Sequence, residues 1–184
     1  MAIILPANTL ATASGVANSC RFNDGDSAYM HQTPSGNGSN TVFTLSLWYK
    51  RGVLGTGQSL FAAGTSGVTT LDFLSGDTLA FYDGGSTTVF ITNRVFRDIA
   101  SWYHIALICN TGESGTDKCK LYINGTQVGN VTSGSSLPFA YPDILLGQQR
   151  VALDTGTRNP IDEFMVFNEA LSDSELQLLT SFSS

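Results

Sequence analysis

The side chains able to do chemistry in this chain are few, and their spacing argues against a reaction. The only glutamates are Glu113, Glu163, Glu169 and Glu175. A retaining glycoside hydrolase needs two carboxyls about 5–5.5 Å apart across one cleft. Asp162 and Glu163 are neighbours in a strand-like run, so their side chains point to opposite faces. His104 stands alone between apolar neighbours and reads as a packing histidine, while His31 has no carboxylate or nucleophile partner in sequence. No glycine-rich phosphate loop and no zinc-ligand spacing occurs. No residue is assigned a catalytic role, and an enzyme is not expected. A sugar site needs a ring to stack on, and Trp48, Tyr82 and Tyr141 are the candidates. Trp48 falls on the strand face opposite the Phe43–Tyr49 stripe. The plainer alternative is that neighbouring loops cover both faces of that strand.

The elements that must position these groups are short strands. The organising stretch runs from Ser101 to Gly129. Its two strand-like runs, Trp102–Cys109 and Lys120–Asn124, flank a polar loop, and Asn124-Gly125 then reverses the chain. Asn-Gly is a strong hairpin signal, because a type I′ turn needs positive φ at both central positions. Pairing Ile105 with Ile123 and Leu107 with Leu121 places Cys109 opposite Cys119. A bridge there would contribute about 2–3 kcal/mol, whereas cytoplasmic synthesis and the unpaired Cys20 favour reduced, buried thiols. Upstream, Thr41–Lys50 alternates as a half-buried strand, with Phe43, Leu45, Leu47 and Tyr49 facing the core and Thr44, Ser46, Trp48 and Lys50 facing away. Further strands are expected at Arg21-Phe22, Ala28–Met30, Ser59–Ala62, Thr70–Leu74, Thr78–Tyr82, Thr88–Thr92, Ile144–Leu146 and Ile161–Phe167. Ser172 and Glu175 form a capping box that starts a short helix, with Leu176, Leu178 and Leu179 as its apolar stripe.

Composition narrows the partners. With 184 residues, one β-sandwich domain is expected, preceded by an arm over residues 1–19, so the domain proper spans 20–184. Only 13% of residues are charged and the net charge is −6, which speaks against nucleic acid, since phosphate neutralisation needs clustered Lys and Arg. No apolar run is long enough to span a membrane. The first twenty residues lack the basic segment of a secretory signal, so synthesis in a cytoplasm is expected. The Ile3-Ile4-Leu5 knot sets the arm apart from a solvated tail. These three side chains are expected to hold the protein to a neighbouring copy or particle.

The run WYHIAL…KLYINGTQVG resembles the hairpin of laminin G-like jelly rolls, in the concanavalin A-like lectin superfamily. The closing IDEFMVFNEALSDSEL is similar to that family's last strand and helix, and RFNDGDSAYM to its opening segment. The resemblance implies an all-β, two-sheet antiparallel jelly-roll sandwich with one short C-terminal helix. In similar jelly rolls the opening turn meets the last strand, and some hold calcium there. The matching residues are Asn23, Asp24, Asp26 and Ser27, with Asp162 on the strand; no other cofactor is implied. The carboxylate-bearing strand motif of the superfamily's glycanases is missing. The segment from Arg21 to Gly52 looks much like laminin G-like domains encoded by marine tailed bacteriophages. It implies a non-enzymatic virion structural protein: a capsid decoration, head-fibre or tail-associated protein made in the host cytoplasm. Its partners would be other virion proteins or further copies of itself. The alternative is a stand-alone carbohydrate-binding module, and a decoration protein that also binds cell-surface glycans would combine the two.

Overall fold

Period-two alternation over most of the chain leaves two apolar faces that must be buried against each other, and two stacked sheets result. The computed structural model describes residues 20–21, 30–32, 39, 41–63, 69–83, 87–129, 151–153 and 160–181. Its strands are β1 Cys20–Arg21, β2 Met30–Gln32, β3 Val42–Lys50, β4 Gln58–Ala63, β5 Thr69–Phe73, β6 Thr78–Asp83, β7 Thr87–Val95, β8 Trp102–Asn110, β9 Cys119–Ile123, β10 Thr126–Gly129, β11 Val151–Leu153 and β12 Pro160–Phe167. A short 3-10 helix, Gly115–Lys118, leads into β9, and the helix α1 spans Asp173–Ser181. Among the described residues the first sheet has the order β1-β12-β3-β8-β9-β10 and the second β2-β11-β4-β5-β6-β7. The expected all-β jelly-roll sandwich with one C-terminal helix is the architecture observed. The arm over residues 1–19 and the strand expected at Ile144–Leu146 lie outside the described residues.

The β8–β9–β10 meander of the first sheet pairs in the expected register. Ile105 pairs with Ile123, Leu107 with Leu121 and Cys109 with Cys119. Asn124 and Gly125 adopt φ of 51° and 74°, the left-handed pair that a type I′ turn requires. The Asn124 side chain adds a clamp, its Oδ1 accepting the His104 N–H at 2.8 Å while its own N–H donates to the His104 carbonyl. Cys109 and Cys119 face each other as buried thiols with no bridge between them.

Between the sheets lies an aromatic-rich core in which Phe43, Leu45, Leu47 and Tyr49 of β3 meet Leu71, Phe73, Phe81 and Phe90 of the second sheet. Rings lock the layers together: Tyr49 stacks on Phe73 at 5.4 Å, and Phe96 meets Phe73 and Tyr103 edge-on. Each such side chain contributes about 1.5–3 kcal/mol by leaving water.

The other face of β3 departs from expectation. Thr44 and Ser46 are fully buried rather than facing solvent. The cause is α1 and the segment leading into it, which place Leu176 and Leu171 on Ala106, Ile108 and Tyr122. The chain leading into α1 is tied down by Thr44, whose Oγ1 donates to the Glu169 carbonyl at 2.7 Å and accepts the Leu171 N–H at 3.0 Å. The capping box forms as expected: Glu175 Oε2 accepts the Ser172 N–H at 2.8 Å, and the Ser172 hydroxyl accepts the Glu175 N–H. Leu178 is a correction to the expected stripe. It is 60% exposed, because two residues along a helix rotate a side chain by about 200° from Leu176.

Candidate functional site

With α1 lying across the first sheet, the outward face of the second sheet carries a half-buried polar arrangement. Alternation along β5 sends Leu71 and Phe73 into the core and Thr70 and Asp72 outward. Cross-strand pairing then assembles two rows on that face. Ser59, Asp72, Ala80 and Ile91 form one row, and Ala62, Thr70, Tyr82 and Thr88 the other. The alanines make a small-residue floor beside the Tyr82 ring, with hydroxyls on both sides.

Asp72 is the unusual member. Its Oδ2 accepts a short bond, 2.6 Å, from the Thr70 hydroxyl. Its Oδ1 is buried and has no hydrogen-bond partner among the described residues. Burial pushes the carboxyl above its ordinary range, and the Thr70 and Ser59 hydroxyls oppose this only in part. A buried acceptor left without a donor costs about 1–3 kcal/mol. That oxygen is closed to solvent, so what this face offers a ligand is the half-buried Thr70 and Ser59 hydroxyls, with the Tyr82 ring as the adjoining apolar surface. Asp72 is the sole carboxylate on this face among the described side chains.

The residues singled out by sequence are scattered. Tyr82 lies on this face, half-buried. Trp48 belongs to the first sheet, on the far side of the sandwich, so one small ligand cannot touch both. It is only 9% exposed and rests against His104 with ring centroids 5.0 Å apart. Asp162 sits in β12 at the register position opposite Trp48. Asn23, Asp24, Asp26, Ser27, Tyr141, Ile3, Ile4 and Leu5 lie outside the described residues. Among the described residues no three His, Cys, Asp or Glu groups converge to hold a metal ion. Sequence reasoning missed Asp72, Thr70 and Ser59. The available signal was the alternation in Thr69–Phe73, which puts a carboxylate on the outward side of a strand.

His104 has a structural environment. It is buried, and desolvation lowers its pKa from 6.5 to about 4. The Thr180 hydroxyl spends its proton on the Leu176 carbonyl at 2.8 Å, so Thr180 Oγ1 accepts from His104 Nδ1. Nε2 is then the acceptor for the Ser46 hydroxyl at 2.9 Å. Ser46 is fully buried, so this Ser–His pair joins the sheet to α1 rather than facing a substrate.

Comparison with known proteins gives a consistent picture. Residues 24–177 match a laminin G family model described as the concanavalin A-like lectin/glucanases superfamily. No curated protein matches the chain. Among solved structures, the binding domain of Paraclostridial mosquitocidal protein 1 is similar at a TM-score of 0.64 and 21% identity, over 88% of this chain and 42% of that one. Trypanosoma rangeli sialidase follows at 0.62 and 19%, over 89% of this chain and 27% of the enzyme. A structure described as a receptor binding domain aligns at 0.58 and 14%, over 78% and 36%. The chain thus spans less than half of each of these proteins, and the likeness is one of fold.

Proposed function

We propose, from the premise that this chain belongs to the concanavalin A-like lectin/glucanases superfamily, that it is a non-catalytic binding module whose ligand docks on the outward face of the second sheet. The observation that carries this reading is the half-buried group of Asp72, Thr70 and Ser59, gathered by cross-strand pairing beside Tyr82 and two alanines. The ligand class is a saccharide: its hydroxyls bond to the Ser59, Thr70 and Asp72 group and its apolar face lies on the tyrosine ring. Among the described side chains Asp72 is the carboxylate on that face, and it accepts a hydrogen bond. The binding and receptor-binding domains among the similar structures support a recognition role. The finer part of the proposal is that the module is displayed on a bacteriophage particle, as a decoration, head-fibre or tail-associated protein. Its support is the resemblance of Arg21–Gly52 to phage-encoded domains.

A glycan array with wild-type protein, Asp72→Leu and Tyr82→Ala tests the binding face. Saturable binding lost in both variants is expected. Asp72→Leu should melt no lower than wild type, because it removes an unsatisfied buried oxygen. Binding that survives both substitutions refutes the site. Mass spectrometry of purified virions tests the second part, which fails if the protein is absent from particles.

A further inference from the structure

One end of the sandwich is built differently from the other. Five large apolar side chains are exposed among the described residues: Leu54, Val95, Ile99, Trp102 and Leu178. The first four sit at the end where β3 finishes and β8 begins. Trp102 pairs with Lys50 across the β3–β8 ladder. Val95 pairs with Thr78 just after the β5–β6 turn. The loops carrying Leu54 and Ile99 are bound to that turn through one carboxylate. Asp77 Oδ1 takes the Gly55 N–H at 2.9 Å and Arg51 Nη2 at 3.2 Å, and Oδ2 takes Arg97 Nε at 2.9 Å. Arg51, fully buried, also donates to the Phe96 and Val53 carbonyls. The apolar residues are thus held on a stiff base rather than on loose loops. Around them stand Lys50, Arg94 and Arg97; of the described acids there, Asp77 is paired with Arg51 and Arg97, and Asp98 is tied to Ser101 and the Ala100 N–H.

The opposite end is acidic. Glu113 and Asp117 lie in the loop between β8 and β9, and Glu169, Asp173 and Glu175 lie before and at the start of α1; all five are exposed. Tyr122 gathers part of this group, donating to Asp173 Oδ1 at 3.1 Å and lying within the field of Asp117. Among the described residues, Lys118 and Lys120 are the basic side chains at that end. The nine residues of β3 separate the two ends by about 27 Å, far beyond the screening length of about 8 Å at physiological salt.

We infer that the basic, apolar end docks on the acidic end of a second copy of this chain, giving head-to-tail assembly. Apolar side chains with Trp and Arg supply the buried centre of such a contact, and opposite charges set its direction. Because the two surfaces differ, the contact is heterologous: it closes into a ring or continues as a filament. Two copies meeting through identical ends would oppose like charges.

The experiment uses the full chain in analytical ultracentrifugation with two variants at exposed positions, both checked by circular dichroism. One carries Arg94→Ser and Ile99→Ser; the other carries Glu113→Gln and Glu169→Gln. Wild type is expected to assemble with concentration and to dissociate as salt is raised. Each variant alone should be monomeric. An equimolar mixture should give a one-to-one dimer and stop there, since only one intact pair of ends remains. A wild type that stays monomeric at low salt, assembly indifferent to salt, or a mixture that stays monomeric each overturns the inference.

Discussion

Acidification is predicted to loosen the fold through His104, in a window that the structure defines. In the native state its neutral ring is held between the Thr180 and Ser46 hydroxyls and is shielded from water. The ordinary pKa is 6.5 and the native one about 4. Between those values the unfolded chain binds a proton that the native chain refuses, so stability falls as pH falls through this window. Each pH unit is worth about 1.4 kcal/mol, giving roughly 3 kcal/mol across the whole interval. The assay is urea unfolding of wild type and His104→Gln at steps of pH, read as a difference. The subtraction removes Asp77, Asp98 and Glu175, whose lowered pKa values stabilise the fold only above the carboxylate range. It also removes Asp72, whose raised pKa acts with the opposite sign. The difference should shrink steadily from neutral pH to about 4. A flat difference over that range, or one that grows on acidification, refutes the reasoning. With only two histidines in the chain, the His104 imidazole can also be followed directly by NMR titration.

Leu107 is fully buried in the central meander, and Leu107→Ala is expected to lower stability by about 2–5 kcal/mol; Thr111→Ala, in the adjoining loop, should change denaturant midpoints little. Asp77→Ala strands the buried Arg51 guanidinium and is expected to lose about 3–5 kcal/mol in the same assay. Asp77→Asn keeps an acceptor for Gly55 and should fall between that variant and wild type. Gly125→Ala forces an L side chain to φ of +74° and is expected to lower stability by about 1–2 kcal/mol without changing the β-type circular dichroism.

Features set by a few adjacent residues were legible in the sequence. The pairing of Ile123 with Thr126 follows from a two-residue Asn124-Gly125 turn, since loop length and left-handed φ together determine the register. The capping box at Ser172 and Glu175 is equally local, and so is the alternation that sends Phe43, Leu45 and Leu47 to one side of β3. Which strand faces end up covered was not legible. Thr44 and Ser46 have the pattern of an outward face, yet the C-terminal helix and the segment leading into it, more than a hundred residues later, close over them. Asp72 reads as an ordinary strand carboxylate until β4, β5 and β6 bring Ser59 and Ala80 beside it. The Arg51–Asp77–Arg97 clamp likewise joins three segments that no short-range pattern connects. Backbone conformation is decided by neighbours along the chain. Burial, and with it the missing donor at Asp72 and the neutral ring of His104, is decided by what the rest of the chain places against a residue, and only the tertiary structure states that.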